Sequence, residues 1–147
     1  MEPTQVRVEL LRQHAELRGL IADVRGIAER ASKGAAARDE LHAAVVRLAG
    51  ALVRHNLFEE EWLRTLDSKV DGQTRADIDV LLEAHVREHE ELRAAVAGIP
   101  RMPVKFASVD VAVLLKGVLE HMADEEASFL SEDVQHDDVV VSALADG

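Results

Sequence analysis

Seven histidines and no cysteine are the first chemical feature of this 147-residue chain. Imidazole and carboxylate groups without thiolate suit iron, manganese, zinc or copper. Three pairs have the right spacing: His55 with Glu59, His85 with His89, and His121 with Glu125 each stand at i and i+4. On a helix both members of such a pair project from one face, with Cβ atoms ~5–6 Å apart. His14 adds a fifth imidazole. Five imidazoles and two carboxylates are more than one ion needs, and they fit two ions that share bridging carboxylates.

Four amphipathic segments would position these groups. Glycine and proline divide the chain so that helices are expected near residues 4–33, 36–66, 75–97 and 109–130. Gly34 after Lys33 reads as a C-terminal cap. Asp71-Gly72 reads as a turn, and Thr74 to Asp77 as a capping box. Gly98, Pro100 and Pro103 end the third helix, and Ser108 is a candidate cap for the fourth. The apolar registers run Leu10, His14, Leu17, Ile21, Val24, Ala28 in the first helix and Leu41, Val45, Leu48, Leu52, His55, Glu59, Trp62, Leu66 in the second. They continue as Ile78, Leu82, His85, His89, Leu92, Val96 in the third and Val111, Leu114, Val118, His121, Glu125 in the fourth. No segment alternates with period two. The expected fold is all-α: an antiparallel up-down-up-down four-helix bundle over residues 1–130. Residues 131–147 form a tail, acidic at Glu132, Asp133, Asp137 and Asp138, then apolar at Val139 to Val141.

Within such a bundle the seven polar groups share one height. The start of the first and third helices and the end of the second and fourth lie at one end, and a rise of ~1.5 Å per residue puts all seven roughly 8–22 Å from it. Buried His and Glu without partners cost several kcal/mol each, so a core that carries them on all four stripes calls for a cation.

At these residues the sequence resembles the hemerythrins and the wider HHE cation-binding domains. The resemblance rests on His14, His55-x-x-x-Glu59, His85-x-x-x-His89 and His121-x-x-x-Glu125-Glu126, and covers about residues 4–130. It implies a centre of two Fe ions, one held by His85, His89 and His121 and the other by His14 and His55. Glu59 and a carboxylate of the fourth helix would bridge them, and the iron with two histidines would keep an open position for dioxygen. Hemerythrins proper carry an Asp five residues after the last His, where this chain has Glu126. Glu125 is the expected bridge, because it shares the His121 stripe of a regular helix; a π-bulge would bring in Glu126 instead.

Composition excludes several other functions. Lys plus Arg number 17 against 28 Asp plus Glu, a formal charge of −11, so nucleic acid and anionic membrane are unsuitable partners. The absence of Cys and Tyr removes disulfides, iron–sulfur clusters, a cysteine nucleophile and a tyrosyl radical. No apolar run approaches a membrane span, and the first residues do not read as a signal peptide, so a soluble cytoplasmic protein is expected. No Glu-x-x-His pair of the ferritin-like oxidases and no His-Glu-x-x-His of zinc hydrolases occurs.

The expected function is reversible binding of dioxygen or a similar small ligand, as carrier, store or sensor, rather than catalysis. The alternative is a di-iron enzyme acting on peroxide, nitric oxide or iron. His42 and His136 fall outside the pattern and read as solvent-facing. Glu60, Glu61, Glu88, Glu90 and Glu91 read as charged surface. Phe58, Trp62 and Phe129 read as core packing or as the wall of an oxygen pocket. The valines of the tail read by default as packing on the bundle or as disorder, with docking on a protein partner as the alternative.

Overall fold

The computed structural model of the chain describes residues 2–33, 38–67, 72–101, 107–128 and 130. The helices are α1 (Pro3–Ser32), α2 (Arg38–Asp67), α3 (Gly72–Gly98) and α4 (Ala107–Ala127), with a 3-10 turn (Ile99–Arg101) after α3. Among the described residues there is no strand. Helix α1 packs on α2 and α4, α2 also packs on α3, and α3 closes against α4. The arrangement is a four-helix bundle, as the apolar registers predict. Arg30 near the end of α1 meets Glu40 near the start of α2 at 3.0 Å, while early Arg7 donates to the carbonyl of Leu130 beyond α4 at 2.7 Å. Both contacts run α1 antiparallel to its neighbours.

The helix ends show where local signals were misplaced. At the start of α1 the Glu2 amide donates to Gln5 Oε1 (3.1 Å), with Pro3 in the first turn, where its missing N–H costs nothing. Helices α3 and α4 begin at Gly72 and Ala107, so Thr74 and Ser108 stand inside them rather than at the expected cap positions. The first turn leaves its N–H groups unbonded in any case, so Gly72 and Gln73 can extend α3 ahead of Thr74. The Gly34 cap, Asp71, Phe129 and the tail 131–147 with His136 and the valines lie outside the described residues. Helix α4 stops at Ala127, short of the expected 130. The Leu130 amide then donates back to the carbonyl of Glu125 (3.0 Å), and Leu130 folds down beside Val6, Leu10, Trp62 and Leu63.

Two apolar clusters result, one above and one below the polar stripe residues. The larger includes Leu17, Leu48, Leu52, Leu92, Leu115, Val118 and Met122; the smaller is Val6, Leu10, Trp62, Leu63 and Leu130, with Phe58, Leu81 and Leu82 against it. On α4 the fully buried position is Leu115, not the expected Leu114, which is half-buried against the same cluster. On every helix the histidines sit between a residue of one cluster and a residue of the other: His14 between Leu10 and Leu17, and His55 between Leu52 and Trp62. Leu81 and Leu82 precede His85 and Leu92 follows His89, while Val118 and Leu130 flank His121 and Glu125.

The large cluster bears most of the apolar burial, so its centre should dominate stability. Leu48 is 0% exposed and its near neighbour Val46 is 57% exposed. Leu48→Ala should cost about 2–5 kcal/mol of unfolding free energy in a denaturant titration, and Val46→Ala less than about 0.5 kcal/mol. Equal losses would mean that α2 is turned in the bundle.

Candidate metal centre

The stripe residues converge in one buried layer. The candidate ligand atoms of His55, Glu59, His121 and Glu125 all lie within 4.8 Å of one another. His14, His85 and His89 stand around this group. Glu59 faces two ways: its Oε1 lies 3.1 Å from His85 Nε2 and 3.7 Å from His89 Nε2, and its Oε2 lies 3.4 Å from His55 Nε2. Glu125 Oε1 lies 3.0 Å from His121 Nε2, 3.4 Å from His14 Nε2 and 3.6 Å from His55 Nε2. Ring contacts group His85, His89 and His121, with centroids 5.0–5.7 Å apart, and His14 with His55, at 4.8 Å; Glu59 and Glu125 each reach histidines of both groups. Helix α4 runs as a regular α-helix through this turn, which places Glu125 inside the layer and Glu126 at its edge.

All five imidazoles present Nε2 to the interior because Nδ1 is engaged outside. His14 Nδ1 meets Glu126 Oε1 at 3.0 Å, His55 Nδ1 meets Gln13 Oε1 at 3.0 Å, and His85 Nδ1 meets the Leu81 carbonyl at 3.2 Å. His89 Nδ1 meets Glu60 Oε1 at 2.9 Å, and His121 Nδ1 meets Glu88 Oε1 at 3.1 Å. Ionised carboxylates and a carbonyl only accept, so each of these Nδ1 atoms is the donor. The Gln13 amide is oriented by Glu9, which accepts from its Nε2 at 2.9 Å, and this turns its oxygen toward His55. A proton on Nδ1 leaves each Nε2 as an inward lone pair, the form in which imidazole binds a metal.

Four of these acceptors were not recognised in the sequence. Glu60 and Glu88 read there as charged surface, but Glu60 is 5% exposed and both hold histidines of the layer. Gln13 and Glu126 do the same. The signal was adjacency: Gln13 precedes His14, Glu60 follows Glu59, Glu88 precedes His89 and Glu126 follows Glu125. A residue next to an inward-facing one is turned by ~100° toward the neighbouring helix. His42 is exposed, as expected, and Trp62 and Phe58 pack in the smaller cluster and border an outward groove with Val6 and Leu57.

The layer's own polar atoms are not satisfied by one another. Buried atoms without a hydrogen-bond partner include Nε2 of His14 and His55 and both carboxylate oxygens of Glu59 and Glu125. His89 Nε2 and His121 Nε2 stand 3.2 Å apart, two lone pairs facing each other when both Nδ1 atoms carry protons. Burial pushes the His89 pKa down to about 3, with the neighbouring His121 and His85 adding to the shift. Burial also lowers His55 and His85, so these rings stay neutral and able to ligate. For His121 burial acts downward too, but Glu125 and Glu88 outweigh it and raise the pKa. Burial and the charge of Glu125 push Glu59 well above the usual carboxylate range. Inward lone pairs and buried carboxylates without donors are a donor set that fits a metal cation. Asn56, beside His55 and fully buried, also leaves both amide atoms unpartnered.

The family model of the hemerythrin HHE cation-binding domain matches residues 6–132. No curated protein and no solved structure matches the chain significantly. The matched span covers α2, α3 and α4, all but the first three residues of α1 and every residue of the buried His/Glu layer, and the chain belongs to the hemerythrin HHE cation-binding domain family.

Proposed function

We propose that the chain holds two iron ions in this layer and binds dioxygen reversibly. The observation that carries the reading is the grouping of the five rings beside two buried carboxylates: the centroids of His85, His89 and His121 lie 5.0–5.7 Å from one another, and those of His14 and His55 lie 4.8 Å apart. His85, His89 and His121 would hold one ion, His14 and His55 the other, and Glu59 and Glu125 would bridge them. Bound ferrous iron would supply the electrons that let dioxygen bind and leave again.

The protein's part is to fix the rings, keep the inward nitrogens of His55, His85 and His89 unprotonated and exclude water. Apolar residues above and below the layer do the last of these. Five neutral imidazoles against two carboxylates donate less charge than a carboxylate-rich set, which favours binding over cleavage of the O–O bond. The chain has no Tyr or Cys and a single Trp to pass electrons inward.

Protein loaded anaerobically with ferrous iron should contain about two irons per chain by mass spectrometry. Exposure to oxygen should produce charge-transfer bands that fade when oxygen is removed and return when it is restored. Oxidation in one irreversible step would contradict the reading and favour an enzyme acting on peroxide or iron.

Metal should also hold the fold together. A ligand that binds only the folded state stabilises it by RT ln(1 + [L]/Kd), ~4 kcal/mol at a thousandfold excess over Kd, so chelation should lower the melting temperature by many degrees. His55→Leu extends the Leu48/Leu52 stripe and deletes a buried atom without a partner. It should raise apo stability by about 1–2 kcal/mol while lowering metal content. His42→Leu should change neither. Melting curves with and without chelator, together with metal analysis, check both, and wild-type metal content in His55→Leu would contradict the assignment.

A further inference from the structure

The acceptors behind the histidines are unequal in charge. On the three-histidine side, His89 is held by Glu60 and His121 by Glu88, two carboxylates. Among the described residues, Glu60 meets a Lys or Arg cation only at the edge of contact, Arg64 Nη2 at 4.0 Å. On the two-histidine side, His55 is held by the neutral amide of Gln13. His14 is held by Glu126, but Arg18 grips both oxygens of that carboxylate, at 2.7 and 2.8 Å, and cancels its charge. The formal charge behind the first set is therefore −2 and behind the second zero, counting Glu60 and Glu88 against Glu126 with Arg18.

An imidazole whose Nδ1–H donates to a carboxylate is a stronger σ-donor and is more firmly oriented than one that donates to an amide. We infer that these outer residues rank the two half-sites: the His85/His89/His121 position fills first and holds its ion more tightly, and the His14/His55 position is the exchangeable one. Gln13, Glu60, Glu88, and Glu126 with Arg18 are positioning residues in this scheme. The inference rests on the two-ion reading above. The count of imidazoles favours the same half, so the outer shell has to be isolated by substitutions that leave every ligand in place.

The test is an anaerobic titration of the apo protein with Co(II), followed by calorimetry and by the visible bands of the ion. Wild type should bind two ions with dissociation constants at least tenfold apart. Glu88→Gln, at a side chain 49% exposed, should weaken the tighter ion by about 10-fold or more and leave the weaker one unchanged. The exchange Glu9→Gln with Gln13→Glu moves one carboxylate from behind Gln13 to directly behind His55 at constant net charge. It should tighten the weaker ion by about 10-fold. Arg18→Gln, which frees the charge of Glu126, should act in the same direction. Two ions of equal affinity, or variants that move both ions together, would overturn the ranking alone. A plateau at one ion would overturn the two-ion reading and the ranking with it.

Discussion

An imidazole has two nitrogens, and in its neutral form only one of them offers a lone pair. Everything at the centre of this protein depends on which one that is. Each histidine of the layer has an acceptor behind Nδ1, so each turns Nε2 inward. Four of the five acceptors come from a different helix, and they form a closed circuit. Gln13 of α1 holds His55 of α2, Glu60 of α2 holds His89 of α3, Glu88 of α3 holds His121 of α4, and Glu126 of α4 holds His14 of α1. His85 alone is held from its own helix, by the carbonyl one turn back. The circuit fixes the rotation of every helix about its axis, because a turned helix would lose both its ligand and the bond it gives to its neighbour.

That constraint works against the hydrophobic core. A continuous aliphatic stripe would pack all four helices without a gap. Here the stripe is cut into two apolar clusters by a layer whose inward atoms have no donors. Glu59 and Glu125 lie side by side in that layer, and the charge of one works against ionisation of the other. The larger cluster, from Leu17 to Met122, supplies the burial that lets the bundle tolerate the layer. A bound cation would convert the layer from a cost to a tie between all four helices, since each contributes at least one candidate ligand atom to it.

The helices and the polar layer were legible in the sequence because both follow from period and height. His14, His55, Glu59, His85, His89, His121 and Glu125 all fall on apolar registers, and the rise per residue brings them level. Glu125 could be separated from Glu126 only on the assumption of a regular helix, which α4 satisfies. The outer circuit was not legible. Glu60 and Glu88 sit among other glutamates, and a charged run on a helix edge looks the same whether it faces water or a histidine on the next helix. Nor were the starts of α3 and α4 legible, where cap-forming residues stand inside the helix.

The tautomer of the five buried histidines tests the account most directly. Nitrogen-15 correlation spectra of the apo protein distinguish Nδ1–H from Nε2–H in each ring. Five of the seven histidines should carry the proton on Nδ1. On loading with Zn(II), the Nε2 resonances of those five should shift, and those of His42 and His136 should not. Nε2–H tautomers among the five, or a shift confined to His55 and His121, would contradict it.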